Sequence, residues 1–233
     1  MNIVSMLLIT FPLAIAPGIA IAFLVYFKDK FEKEPFRLIR NCFLFGMLCI
    51  IPAAIIELGI SSAGINENKD IYTTLIYAFL VVSFIEELLK YSVLRFYAFK
   101  KNAFNEPFDG IVYSVMISMG FATIENVLYA FTGGISITLL RMITAIPLHA
   151  TSAIFMGYYV GRAKFSEKRF SLLFMGLFTA VIIHGIYDFF LFQQEIPALA
   201  VFSFISLIIG IIISFRAMKK SIVLSPFKND QIS

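Results

Sequence analysis

Residues 72–97 read YTTLIYAFLVVSFIEELLKYSVLRFY, and this stretch decides the fold. At about 1.5 Å of rise per residue, its 26 residues make a helix of roughly 39 Å, longer than the roughly 30 Å hydrocarbon core of a bilayer. The first fourteen residues carry no charge, and then Glu86, Glu87 and Lys90 fall within two turns, flanked by apolar residues on both sides. A charged side chain near the middle of a span costs about 2.5–3.5 kcal/mol on insertion scales, so three together require partners or a hydrated cavity. Lys90 is four residues from Glu86 and three from Glu87, so one ammonium reaches either carboxylate on the same helix face.

The rest of the chain repeats the pattern. Hydrophobic residues make up 60%, charged residues 15%, and the mean hydropathy is +0.88, which excludes an ordinary soluble domain and places the chain in lipid. Apolar runs lie at 3–27, 38–60, 72–97, 109–131, 136–161, 170–192 and 196–216. The expected fold is an all-α, polytopic helical bundle of about seven transmembrane helices in a single domain, 1–233. Pro12, Pro17 and Gly18 are expected to kink the first helix, and Gly133 with Gly134 to form a tight hairpin between the fourth and fifth. Ala14 and Ala16 resemble a small-residue cleavage site, but no basic segment precedes them and Pro17 follows, so the first run is retained as a span. Cys42 and Cys49 are seven apart on one helix, about 10 Å along its axis, too far for a disulfide.

Basic residues set the orientation. The net charge of +4 arises from Lys and Arg in the gaps between runs, and is read as topology with no nucleic-acid partner. Lys28, Lys30, Lys33, Arg37, Arg40, Arg95, Lys100, Lys101, Arg162, Lys164, Lys168, Arg169, Arg216, Lys219, Lys220 and Lys228 fall on one side and Lys69 alone on the other. The N-terminus is therefore expected outside and the C-terminus in the cytoplasm.

Lys90 and Arg141 lie inside spans, and they have company: Glu86 and Glu87 on the third run, Glu125 and Asn126 on the fourth, His149 on the fifth, His184 and Asp188 on the sixth. Counting rise per residue brings Glu86, Glu87 and His149 to one level near midplane and lifts His184, Asp188 and Glu125 about 21 Å or more from the cytoplasmic ends of their runs, so the cluster is expected in the middle and outer half of the bilayer. His184 and Asp188 are four apart, so the carboxylate can orient the imidazole. Carboxylates held together repel, which suits one of them to take a proton from water. Ser83, Ser92, Ser114 and Ser118 sit one or two turns from the carboxylates and beside no histidine, which disfavours a serine nucleophile. Glu, His and Asp are acceptable zinc ligands, yet no HExxH motif is present, so a catalytic zinc is the less favoured reading and no cofactor is expected. Blander readings remain for single residues: ion pairs that fix packing for Glu86, Lys90 and Arg141, a hydrogen-bonded core histidine at His149 beside Pro147, an interfacial Glu57, and a helix cap at Asp109.

The polar residues occur as FIEELLK (84–90), DGIVY (109–113), FATIEN (121–126), PLHA (147–150) and HGIYD (184–188), with EKEP (32–35) after the first run. This set, in this order, resembles the PrsW family of intramembrane proteases. The resemblance implies a multi-pass protein of the cell membrane that makes the first, extracytoplasmic cut in a single-span anti-sigma factor, leading to sigma factor release. The family is similar in turn to the type II CAAX prenyl endopeptidases, whose pattern is EExxxR, FxxxH and HxxxN or HxxxD. Glu86, Glu87, His184 and Asp188 fit that pattern, Lys90 stands one position early for its arginine, and Glu125 follows Phe121 where those enzymes have histidine. The resemblance implies that Glu86 or Glu87 activates water with help from His149 or Glu125, while His184, Asn126 and Asp188 stabilise the oxyanion. Two competing classes are a non-catalytic membrane scaffold and, with no inverted repeat in its favour, an ion- or proton-coupled transporter. The oligomeric state is not legible.

Overall fold

The computed structural model describes residues 3–65 and 70–228; Lys69, the lone basic residue of the opposite side, lies outside them. Its helices are α1 (Ile3–Lys28), α2 (Phe36–Ser62), α3 (Ile71–Ile76), α4 (Phe84–Phe96), α5 (Asp109–Ile143), α6 (Ala145–Ala163), α7 (Arg169–Leu191) and α8 (Val201–Val223). α3 passes into α4 through π-helical turns over Tyr77–Ser83, giving one continuous rod. Among the described residues there is no β-strand.

The expected seven separate spans become six apolar helical stretches long enough to cross a bilayer. The fourth and fifth expected spans both lie within the stretch Asp109–Ala163. Gly134 supplies the expected turn at φ 66°, ψ −162°, a backbone conformation that a Cβ disfavours. Beyond it the chain takes up helix again to Ile143 and breaks a second time at Thr144 (φ −122°, ψ −71°). The two arms still lie antiparallel: Ser118 Oγ donates to the His149 carbonyl at 2.8 Å, and a Cβ on Gly110 would fall 2.5 Å from Gly161. α1 runs on through Pro12 and Pro17, and α8 runs on through Arg216, Lys219 and Lys220, which the sequence assigns to a tail.

α5 is the axis of the bundle. Residues 109–123 are buried without exception, enclosed by α1, α2 and α6. The approach of α2 is close enough that a Cβ on Gly46 would meet the Ile117 carbonyl at 1.9 Å and one on Gly120 the Phe43 carbonyl at 2.0 Å. Small residues thus let backbones touch where lipid offers no hydrophobic drive between helices. The outer faces are apolar: Phe23, Ile55, Leu58, Leu80, Phe174 and Ile208 are exposed, while Glu86, Glu87, Lys90, His149 and His184 are buried. A soluble fold would reverse this, and the inversion marks a multi-pass protein whose surroundings are a lipid bilayer. Cys42 and Cys49 are buried and unpaired.

At the end of the bundle where α5 begins, the loops hold a second group of acids. Asp29, Glu34, Glu106 and Asp109 are all buried. Burial first, then the neighbouring carboxylates, pushes the Asp29 carboxyl up to about 7; burial and Asp109 push that of Glu34 up to about 11. Asp109 does not cap the first turn of its own helix. Its Oδ2 accepts from the backbone N–H groups of Asn105 (2.7 Å) and Glu106 (2.8 Å), closing the loop before it.

Candidate active site

The site is assembled from α4, α5, α6 and α7. On α4 the three- and four-residue spacings act as expected, and the lysine bonds both acids. Lys90 Nζ donates to Glu86 Oε2 at 3.0 Å and to Glu87 Oε1 at 2.9 Å. It also lies 3.2 Å from His149 Nδ1 and 4.1 Å above the Phe121 ring. An ammonium has only donors, so His149 Nδ1 accepts, and the ring carries its proton on Nε2. That nitrogen points at Glu125 Oε2, 2.8 Å away.

α5 supplies the support for this imidazole. Glu125 Oε2 also pairs with Arg141 Nη2 at 2.8 Å, and the guanidinium stacks on Tyr129 at 3.9 Å. Arg141 comes from the short helical segment after Gly134, so the turn is what returns a cation to the acid sixteen residues before it. Glu125 therefore orients His149 and is itself neutralised. Asn126 is fully buried, donating to the Ala14 carbonyl at 3.1 Å and accepting from Arg141 Nε at 3.2 Å. It braces α1 against α5 and does not face the cavity described below.

α7 brings His184 against the same centre. Its Nδ1 is 2.8 Å from Glu87 Oε1, and its Nε2 is 3.2 Å from Asp188 Oδ2, near enough for charge pairing though off line for a hydrogen bond. The two imidazoles meet edge to face with centroids 5.0 Å apart. Ser152, one turn beyond His149, donates to Glu87 Oε1 at 3.3 Å. Its three-residue spacing from His149 was the available signal for it. Of the serines noted in the sequence, Ser83 and Ser92 bond their own helix and Ser118 the His149 carbonyl.

A cavity of about 160 Å³ opens beside this cluster, lined by Glu57, Glu86, Glu125, His149, His184 and Asp188 among others. Glu87 is not in its wall. The two adjacent glutamates are thus different: Glu86 faces the cavity, and Glu87 is held behind it by Lys90, His184 and Ser152. Glu57 corrects the expectation of an interfacial residue, since it turns inward to the cavity with Oε1 buried and unpartnered. The π-helical turns set Tyr77 in the wall of the same cavity just before Glu86, the placement at functional sites that such turns commonly have.

Glu86, Glu87, His149 and His184 each offer a ligand atom within 4.8 Å of the others. Glu87 Oε2 is buried without a hydrogen-bond partner, and the outward nitrogens of both histidines face carboxylates. Oxygen and imidazole donors with outer carboxylates behind the rings fit a divalent metal such as zinc.

Four membrane-buried helices that converge acids and imidazoles on one polar cavity define a hydrolase centre inside a helical membrane protein. The family model described as PrsW family intramembrane metalloprotease matches residues 34–215. Proteins named Protease PrsW are similar over most of their length: that of Oceanobacillus iheyensis is 39% identical over 76% of this chain and 80% of its own, and that of Geobacillus kaustophilus 36% over 78% and 79%. The Bacillus subtilis protein is 33% identical over 76% of this chain and 80% of its own. No solved structure matches the chain. The chain belongs to the PrsW family of intramembrane proteases and is a peptide-bond hydrolase.

Proposed function

We propose that the protein cuts a single-span membrane substrate within or at the edge of the bilayer, with Glu86 as the general base. The observation that carries this reading is the division of labour between the two glutamates: Glu86 alone of the pair lines the cavity. Water in the cavity gives its proton to Glu86 as the oxygen attacks the peptide carbonyl. Glu86 then returns that proton to the leaving amine. His184, whose Nε2 faces Asp188, lies on the cavity wall where the developing oxyanion needs a donor. Lys90 and Ser152 hold Glu87 charged and fixed, and the Arg141–Glu125 pair fixes the His149 ring.

Glu87, His149 and His184 would hold a divalent metal, which when bound supplies Lewis-acid activation of the water. Glu86 is then left for proton transfer.

The proposed orientation has the N-terminus outside and the C-terminus in the cytoplasm of the cell membrane, and the basic residues gathered at one side support it. In that orientation the cavity, walled by Glu57, Tyr129 and Arg141, faces the extracytoplasmic half. The substrate class proposed is a single-span anti-sigma factor, cut first by this protein to begin sigma factor release; the family resemblance supports it. The described helices act as one transmembrane protease domain.

The test is reconstitution of the purified chain in liposomes with such a substrate, mapping the product ends by mass spectrometry with and without chelator. A cut near the outer boundary of the substrate span is expected. Intact substrate from a folded enzyme across a panel of single-span anti-sigma factors would refute the substrate class.

A further inference from the structure

At the end of the bundle away from the cavity, the termini and loops of α1, α2 and α5 bring four acids together. Asp29 follows α1, Glu34 precedes α2, and Glu106 and Asp109 open α5. Along α5 this point is sixteen residues, about 24 Å, from Glu125, so it is not part of the hydrolytic centre. EKEP and DGIVY, two of the motifs noted in the sequence, contribute Glu34 and Asp109 and have no role in the site above.

One oxygen each from Asp29, Glu106 and Asp109 lies within 4.8 Å of the others, which is the spread expected of oxygens around one cation at 2.3–2.6 Å. The independent observation is Glu34, outside that set of three and on the same α1–α2 loop as Asp29, which is 4% exposed, meets Asp109 within hydrogen-bonding reach, and leaves Oε2 buried with no partner. Both oxygens of Asp29, Glu106 Oε2 and Asp109 Oδ1 are buried with no donor, Asp29 meets Glu106 as Glu34 meets Asp109, and among the described residues the Ser225 hydroxyl is the one side chain beside Glu106 that can donate to it. The remaining oxygen of Asp109 is locked by two backbone N–H groups, which aims its free one. The nearby ammonium groups are committed elsewhere: Lys33 Nζ donates to the carbonyl oxygens of Tyr26 and Asp29, and Lys164 Nζ to those of Phe99 and Lys101. Buried carboxylates without donors carry a large cost that a coordinated ion removes.

We propose that Asp29, Glu34, Glu106 and Asp109 form a binding site for a hard divalent cation of the Mg²⁺, Mn²⁺ or Ca²⁺ class. An all-oxygen, all-carboxylate donor set selects these ions over zinc or copper. The ion clips the ends of α1 and α2 to the start of α5, and so holds the axis of the bundle on which Glu125 is carried.

The experiment uses the full chain in detergent micelles after chelator treatment, in a Glu87→Gln/His184→Ala background that disables the other metal-fitting cluster. Mn²⁺ is titrated and the free ion followed by electron paramagnetic resonance, with Mg²⁺ and Ca²⁺ as competitors. One Mn²⁺ per chain is expected, weakened at least tenfold by Asp29→Asn/Glu106→Gln, with Mg²⁺ or Ca²⁺ displacing it and raising the melting temperature only when the four acids are present. Glu34→Gln alone, which leaves the loop-closing bonds of Asp109 intact, is expected to weaken binding about tenfold and serves if the double variant does not fold. Absence of Mn²⁺ binding up to millimolar concentration would overturn the proposal and leave the acids sharing protons. Binding unchanged in Asp29→Asn/Glu106→Gln and in Glu34→Gln would overturn it equally.

Discussion

Replacing Lys90 by Met removes the one ammonium that both α4 glutamates share while keeping the length of the side chain. Lys90 is 2% exposed and contacts Glu86 at 3.0 Å, Glu87 at 2.9 Å and His149 at 3.2 Å. At an effective dielectric of about 20, each carboxylate contact is worth about 5–6 kcal/mol of Coulomb attraction. Desolvation of three buried ions offsets most of that sum. What the substitution exposes is the orphaned acids, and removing one member of a buried pair costs about 3–5 kcal/mol. The expected loss in unfolding free energy is therefore about 3 kcal/mol or more, read by reversible denaturant unfolding in bicelles with chelator present throughout. Lys90→Met combined with Glu87→Gln should recover about 1–3 kcal/mol, because one of the uncompensated charges is gone. A Lys90→Met protein within about 1 kcal/mol of wild type, with no recovery in the double variant, would refute the account of how this acid pair is held.

Arg141→Met leaves Glu125 without its 2.8 Å partner and His149 without a fixed orienting group, so cleavage should slow by about 10–100-fold with little change in substrate affinity, read as kcat against KM. Gly157→Ala sets a Cβ 2.3 Å from the Gly110 carbonyl, a contact with backbone that no rotamer relieves, and should lower stability by about 1–3 kcal/mol in the same unfolding assay. Folded Asp29 keeps its proton up to about 7 whereas the unfolded residue releases it near 3.8. The folded state thus binds more protons between those values, and stability of chelated protein should fall as pH rises through that window. Asp29→Asn should flatten this slope in thermal melts taken across the same pH range.

The parts of the site that lie on one helix were legible in the sequence, because helical spacing alone brings Lys90 to Glu86 and Glu87 and sets Asp188 one turn from His184. The shared depth of His149 and the two glutamates was legible for the same reason, since rise per residue is constant. What spacing does not contain is the rotation of one helix against the next, which packing decides. That is why the inward turn of Glu57, the separate fates of Glu86 and Glu87, and the bond from Ser152 to Glu87 needed coordinates. The π-helical turns before Glu86 shift the facing of Tyr77 in a way that no 3.6-residue count anticipates. Asn126 shared the sequence neighbourhood of Glu125 but not its face, and became a brace. Gly134 announced a turn correctly; the helix resumed after it, and the second break at Thr144 falls one turn before Pro147, which has no N–H for the Ile143 carbonyl. That the loop acids meet was not legible because carboxylates near basic loops ordinarily face water, and only the folded chain shows Asp29 and Glu34 buried.

Single-turnover cleavage by Glu86→Gln tests the central claim most directly, with wild type and Glu57→Gln run beside it in the same liposomes. The account predicts that Glu86→Gln binds substrate normally but cleaves it about 10²–10⁴-fold more slowly, and that Glu57→Gln, which has no assigned proton to move, stays far closer to wild type. Cleavage by Glu86→Gln within a few-fold of wild type would contradict it.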